Sequence, residues 1–296
     1  MKPLPRRAGV ALLLAIATTF GSNHIAARVA FDHGTSVATA VAFRAAGTAL
    51  ALAAVLTVLR IPLGLTPTTL GRTAAIGILI AVQSYCLYSS VARIPAALAL
   101  LAFNTFPMLY ALLSAAAGME RLSRRAILAM PAALFGLALA LDVIGDSDKL
   151  GARWEEIGAG VSFSIAASFC FAAVLFASAR WLHGVDGRVR SGVVNAVVAI
   201  LVLAVAASTG QLALPGDGTG WTGLLLLTLL YGSGITSLFM LQSRLASASD
   251  VAALNFEPIA VLLLGWAVLG QGLEPRQIAG ALIVIAAIVT LGTAKR

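Results

Sequence analysis

Ten apolar stretches, each about twenty residues long, follow one another along this chain with short polar connections between them. They run roughly over 8–31, 36–59, 70–92, 95–117, 124–142, 157–180, 190–209, 220–243, 249–270 and 275–293. A bilayer core about 30 Å thick is crossed by ~20 apolar residues in a helix. Inside hydrocarbon every backbone N–H and C=O must find a partner within the protein, which a helix supplies by itself. The pattern therefore predicts an all-α membrane protein with ten transmembrane helices. Only 11% of the residues are charged and 60% are apolar, against about 25% charged in a soluble domain. The net charge of +8 does not point to nucleic acid, because the basic residues stand singly or in pairs between apolar runs and form no basic stripe. The stretch Ala8 to Phe31 is longer than the ~7–15-residue apolar region of a signal peptide, so it reads as the first span, behind Lys2, Arg6 and Arg7.

Charge placement orients the spans. With the N-terminus inside, fourteen of the 20 basic residues fall on the inner side. Only Arg93, Lys149, Arg153 and Arg276 fall outside, and Arg28 and Arg44 lie within spans. Such a bias places both termini in the cytoplasm, with the bilayer as partner and the inner (plasma) membrane as location. The longest polar stretches are 143–156, an outer connection, and 210–219. Gly216-Asp217-Gly218-Thr219-Gly220 follows no strand and reads as a turn rather than a phosphate loop. Cys86 and Cys170 stand alone in apolar runs, and no Cys/His cluster spells a metal site.

Sliding the sequence by 151 residues superposes it on itself without a gap. Arg93 falls on Arg244, Asn104 on Asn255, Pro107 on Pro258 and Arg125 on Arg276. The chain thus divides into 1–142, with spans one to five, the connection 143–156, and 157–296, with spans six to ten. Five spans per half is an odd number, so the two halves insert with opposite topology. Inverted repeats of this kind are a common build of secondary transporters, in which two similar halves rock about a site near the midplane.

Several motifs, in order, resemble those of the drug/metabolite transporter superfamily, specifically its EamA-type exporters. They are Phe20-Gly21-Ser22-Asn23, Phe43-Arg44, Pro107 followed by Gly118-Met119-Glu120-Arg121-Leu122-Ser123, and Glu257-Pro258. The usual acid after span nine is Gln271 here, with Glu274 three residues later. The resemblance implies ten helices, no cofactor, and export of amino acids, including aromatic ones, or of similar small metabolites. Drugs or nucleotide-linked sugars are the alternative cargo. No Gly-x-x-x-x-Gly-Lys-Ser/Thr loop is present for ATP hydrolysis, and neither His-Glu-x-x-His nor Gly-x-Ser-x-Gly supports an intramembrane enzyme.

Buried polar residues mark the candidate substrate site. Arg44, about nine residues into span two, is too deep to reach water easily. It reads as the counter-charge of a substrate carboxylate, or as a structural partner of a carbonyl or of Glu257. Glu257 stands mid-span beside Pro258, which frees the carbonyl of Leu254 next to Asn255; Asn104 and Pro107 repeat the device in span four. Broken helices at matching places in two halves point to a transport site. There Pro107 and Pro258 would act as the breaks, and Asn104, Asn255 and Glu257 would line the cavity. Asn23 and His24 sit mid-span one, and a histidine titrates near neutral pH; the alternative for His24 is simple packing. In span three, Ser84 and Tyr88 are four apart and share a face. Tyr85 is three from Tyr88, and Tyr110 and Tyr231 are similar in kind. Ser162, Ser164, Ser168 and Asn195 are weaker candidates.

Overall fold

The computed structural model describes residues 6–118, 124–140, 147–182, 185–242, 256–270, 272 and 274–293. All regular structure among them is helical: α1 Arg6–Asp32, α2 Val37–Val58, α3 Pro67–Val91, α4 Ala96–Phe103, α5 Phe106–Ala116, α6 Arg124–Ala140, α7 Ser147–Trp181, α8 Gly187–Thr209, α9 Gly218–Gln242, α10 Glu257–Leu269 and α11 Pro275–Thr293. Five stretches (Val37–Val58, Pro67–Val91, Ala96–Ala116, Ile157–Ser178 and Gly187–Thr209) are long and apolar enough to cross a membrane, and 131–140, 257–269 and 275–287 are shorter apolar helices. Large apolar side chains such as Val58 (79% exposed), Leu128 (74%) and Leu229 (68%) stand on the outside. A water-soluble surface does not tolerate so many, whereas hydrocarbon welcomes them. The chain is a membrane protein.

Span four is two helices, α4 and α5, broken at Asn104–Thr105, close to the break expected at Pro107. One feature differs from the sequence reading: α7 starts at Ser147, ten residues before the predicted span six at 157, so most of the connection drawn at 143–156 is helical. Lys149, Leu150, Ala152, Arg153, Glu155 and Glu156 are all strong helix formers, and their polarity hid the helix behind a hydropathy rule.

The repeat survives in the backbone. A shift of 151 residues carries the start of α3 at Pro67 onto the start of α9 at Gly218, Phe106 of α5 onto Glu257 of α10, and Arg124 of α6 onto Pro275 of α11. Contacts obey the same exchange. Helix α1 packs on α9 and α10, and α7 packs on α3, α4 and α5; α2 packs on α8, and α6 on α11.

Glycines mark these crossings and reveal their direction. Gly223 lies beside Ala26 and Ala30 while Gly234 lies beside Phe20, so α1 and α9 run antiparallel. Gly160 meets Ile94 and Ser164 bonds Ser90, so α3 and α7 do the same. Asn23 meets Tyr88 and Arg28 meets Val91, so α1 and α3 are parallel. Equivalent helices of the two halves therefore point in opposite directions.

On one face the loops after α1 and α8 are sewn together. Ser36 N donates to Ala213 O at 3.1 Å and Gly216 N to His33 O at 2.9 Å. His33 Nδ1 lies 2.7 Å from Asp217 Oδ2. Asp217 also caps α9, its Oδ1 accepting from Gly220 N at 2.8 Å. The glycine-rich segment is thus a capped turn, as read from its sequence. Arg28 holds the end of α3, donating to the carbonyls of Val91 and Ile94 while pairing with Asp32. Cations suit the carbonyl end of a helix.

Candidate functional site

Two close helix approaches, made at three glycines, frame a polar cluster in the bundle. Gly21 brings α1 so near α10 that an added Cβ would lie 3.0 Å from that of Ala260. Gly47 and Gly232 do the same for α2 and α9, against Thr228 and Thr48. Backbones that approach this closely let short and long polar side chains meet across the gap.

Arg44 is 3% exposed. Its Nη2 donates to Ser84 Oγ at 2.6 Å. Its guanidinium carbon lies 3.7 Å from the centroid of the Tyr231 ring and 4.9 Å from that of Tyr88. Its Nε has no hydrogen-bond partner among the described residues. Tyr88 is buried and shares hydrogen bonds with Asn23, whose Nδ2 donates to the phenol at 2.9 Å. The ring of His24 packs on Tyr88 with centroids 5.7 Å apart. His24 Nε2 stands 3.2 Å from Glu257 Oε1. His24 Nδ1 is buried without a partner among the described residues.

Of the residues singled out in the sequence, the structure brings together Asn23, His24, Arg44, Ser84, Tyr88 and Glu257. Tyr231 completes the cluster; sequence reading noted it only as one more aromatic. Among the described residues Arg44 is paired neither with a carbonyl nor with Glu257; it bonds Ser84 and lies on the faces of Tyr231 and Tyr88, while His24 stands beside Glu257. Tyr85, one helical step from Ser84, points elsewhere, its hydroxyl donating to Gln211 Oε1 at 3.2 Å.

Asn104 is buried at the break between α4 and α5, but its Nδ2 turns back to Leu100 O at 2.7 Å. Asn255 and Leu254 lie outside the described residues. Pro107 and Pro258 both occupy the second position of their helices, where a missing N–H costs nothing. The preceding caps, Thr105 (φ −73°, ψ −10°) and Phe256 (φ −73°, ψ −17°), are 151 residues apart and nearly identical in conformation.

The opposite side of the bundle carries different chemistry. Phe103, Phe106 and Phe171 form an aromatic cluster with centroids 4.8–5.5 Å apart. Ser164 bonds Ser90 Oγ and Ala99 O, and Thr105 bonds Ser168, tying α7 to α3 and to the helix break. Asn195, the repeat mate of Arg44, turns back to Ser191 O. A recess of about 460 Å³ between α1, α9 and α10 is a separate feature. Two of its three hydroxyls, those of Ser22 and Thr222, are spent on carbonyls of their own helices, and most of its wall is apolar side chain. Among the described residues no group of His, Cys, Asp and Glu could hold a metal.

Two helical halves of opposite direction meet around a buried cluster of polar and charged side chains. Residues 7–141 match the EamA-like transporter family, and residues 158–293 match it again. The chain belongs to that family of membrane transporters for small substrates. No curated protein matches it at a significant level. Fifteen chains of solved structures are similar. One, described as a crystal structure of a protein, aligns at a TM-score of 0.61 and 18% identity with 97% of each chain covered, a likeness of fold.

Proposed function

We propose that the protein is a secondary transporter that exports amino acids, aromatic ones included, across the inner membrane by alternating access. In this reading ten spans cross the bilayer with both termini in the cytoplasm. One observation carries the cargo: Arg44 is a buried cation with no carboxylate against it among the described residues and a guanidinium edge without a partner. An unpaired buried charge is costly, and the aromatic faces of Tyr231 and Tyr88 offset only part of that cost, about 2 kcal/mol for a desolvated pair. A substrate carboxylate offsets the rest, and a planar guanidinium binds it by two parallel hydrogen bonds. Glu257 is the matching anion for an ammonium group. Asn23, Ser84 and Tyr88 supply neutral hydrogen bonds, and Tyr231 gives an apolar wall. One anion seat and one cation seat suit a zwitterion.

The two halves meet at this cluster: Asn23, His24, Arg44, Ser84 and Tyr88 come from the first, Tyr231 and Glu257 from the second. Rocking one half against the other about the breaks at Pro107 and Pro258 would expose the cluster to each side in turn. Uptake of labelled amino acids by liposomes carrying the purified protein tests the reading. Saturable uptake of zwitterionic amino acids, competed by phenylalanine, is the expected result. Transport confined to cations or to phosphorylated solutes would refute it.

A further inference from the structure

We propose that the groove between α2 and α8 holds one anionic phospholipid, with its phosphate on Arg60 and an acyl chain lying along the two helices. The proposal does not depend on the cargo. It draws on the orientation given above only for the choice of leaflet.

The groove has a volume of about 490 Å³. Ala49, Ala53 and Leu56 of α2 face Val189, Gly192 and Ala196 of α8 across it, and Arg60 stands at its mouth. Its two walls belong to different halves of the chain. Small side chains and a loose crossing leave the space open. A Cβ added at Gly192 would stand 3.7 Å from that of Leu52, whereas one added at Gly77, where α3 crosses the same α8, would stand 2.8 Å from that of Val197. From Ala49 to Arg60 the groove follows about 16 Å of chain, at about 1.5 Å per helical residue. That is the depth of one leaflet in a hydrocarbon core about 30 Å thick. The one hydroxyl on its wall, that of Thr57, is spent on Ala53 O at 2.8 Å. A long slot with no free polar group along it fits an acyl chain rather than a compact solute.

The mouth supplies the charge. Helix α2 closes with Ile61 N donating to Leu56 O at 2.9 Å and Arg60 N to Thr57 O at 3.1 Å. This closing turn takes a left-handed residue just past the helix, ordinarily glycine. Helices α8 and α10 have glycine there, Gly210 at φ 66° and Gly270 at φ 63°. Helix α2 has Arg60 at φ 51°, the one non-glycine residue of positive φ among the described residues. A Cβ in that conformation strains the backbone, and such strain points to a use for the side chain. Arg60 is exposed, and among the described residues no ion pair, hydrogen bond or ring contact engages its guanidinium. Asp186, the acid at the adjoining end of α8, is taken by Arg188 at 2.9 Å. A cation without an anion thus stands at the depth where headgroups begin, above an apolar slot one leaflet deep. A planar guanidinium bonds a phosphate twice, and basic pockets between transmembrane helices are where anionic headgroups bind. With both termini in the cytoplasm, the lipid comes from the inner leaflet.

The test follows thermal unfolding of the full-length protein in a non-ionic detergent. Three probes are added in turn: phosphatidylglycerol, phosphatidylcholine with the same acyl chains, and inorganic phosphate. Phosphatidylglycerol should raise the midpoint by at least about 3 °C by mass action, and the other two should not. Native mass spectrometry should show one phosphatidylglycerol retained per chain. Arg60→Gly suits the left-handed turn, so it should fold and lose the shift. Ala53→Phe fills the groove from an exposed position on its wall and should lose the shift with Arg60 intact. Equal shifts from the two lipids, a full shift in either variant, or the same shift from phosphate alone would each overturn the proposal. So would a dimer by light scattering that Ala53→Phe breaks and that no lipid stabilises, which would make the groove a contact between two copies of the chain.

Discussion

The guanidinium carbon of Arg44 lies 3.7 Å from the centroid of the Tyr231 ring. One residue belongs to the first half of the chain and the other to the second, on helices that Gly47 and Gly232 allow to touch. The buried charge is therefore held at the junction of the two halves. Its position on aromatic faces leaves Nε without a hydrogen-bond partner among the described residues.

Arg44→Ala is expected to reduce amino-acid uptake at least tenfold, and up to about a hundredfold, the equivalent of losing charge-assisted hydrogen bonds worth about 1.5–3 kcal/mol. Folded protein should be recovered at wild-type yield by size-exclusion chromatography. Arg44→Lys should restore less than half of the loss, because a point charge neither stacks on Tyr231 nor bonds a carboxylate twice. Wild-type transport by Arg44→Ala would remove this residue from the site.

Replacing Pro258 or Pro107 by alanine restores a backbone N–H that a continuous helix would bond one turn earlier. The matching caps at Thr105 and Phe256 mark both places as breaks. Each variant should keep its thermal midpoint within a few degrees and transport more slowly. Cysteine reporters on the two faces should show slower exchange of accessibility; unchanged exchange would make the breaks mere bends.

Helices α6 and α11 cross at Gly136 and Gly280 with no room to spare. A methyl group at Gly280 would run into the backbone of Ala140 and Gly136. Gly280→Ala should destabilise the protein by about 1–3 kcal/mol, as overpacking does, and lower the unfolding temperature in detergent. Gly71→Ala, on α3 with nothing within 4 Å of the new atom, should be neutral or stabilising by about 0.5–1 kcal/mol.

The backbone N–H of Gly220, and then the hydrogen bond to His33, hold the carboxyl of Asp217 below the usual range for an aspartate. A depressed carboxyl stabilises the folded state above the unfolded aspartate value of about 3.9. That contribution disappears as pH falls through the lower, folded value. Asp217→Asn should therefore melt below wild type at pH 7, with the gap between them closing below about pH 4. No gap at pH 7 would show that the loops are joined by their backbone bonds alone, and a gap that persists unchanged in acid would show that the carboxylate charge is not what stabilises them.

How much of this was legible in the sequence follows from the physics of membrane helices. Length, hydropathy and the 151-residue register were visible because a bilayer demands long apolar runs and because Asn-x-x-Pro repeated with its flanking arginines is not a chance match. Those features determined an all-helical membrane protein of two similar halves, and the break in span four could be placed at Pro107. The polar residues Asn23, His24, Arg44 and Glu257 announced themselves, since each is expensive in hydrocarbon. What they touch was not legible. Helices that are apolar all round have no amphipathic period to say which face turns inward, so α9 gave no sign that Tyr231 would lie on Arg44. For the same reason nothing on α1 or α10 reserved Glu257 for His24, or turned Tyr85 away toward Gln211. Those pairings depend on the close crossings at Gly21, Gly47 and Gly232. Such crossings join residues far apart in the chain through a packing geometry that exists only once both halves are assembled.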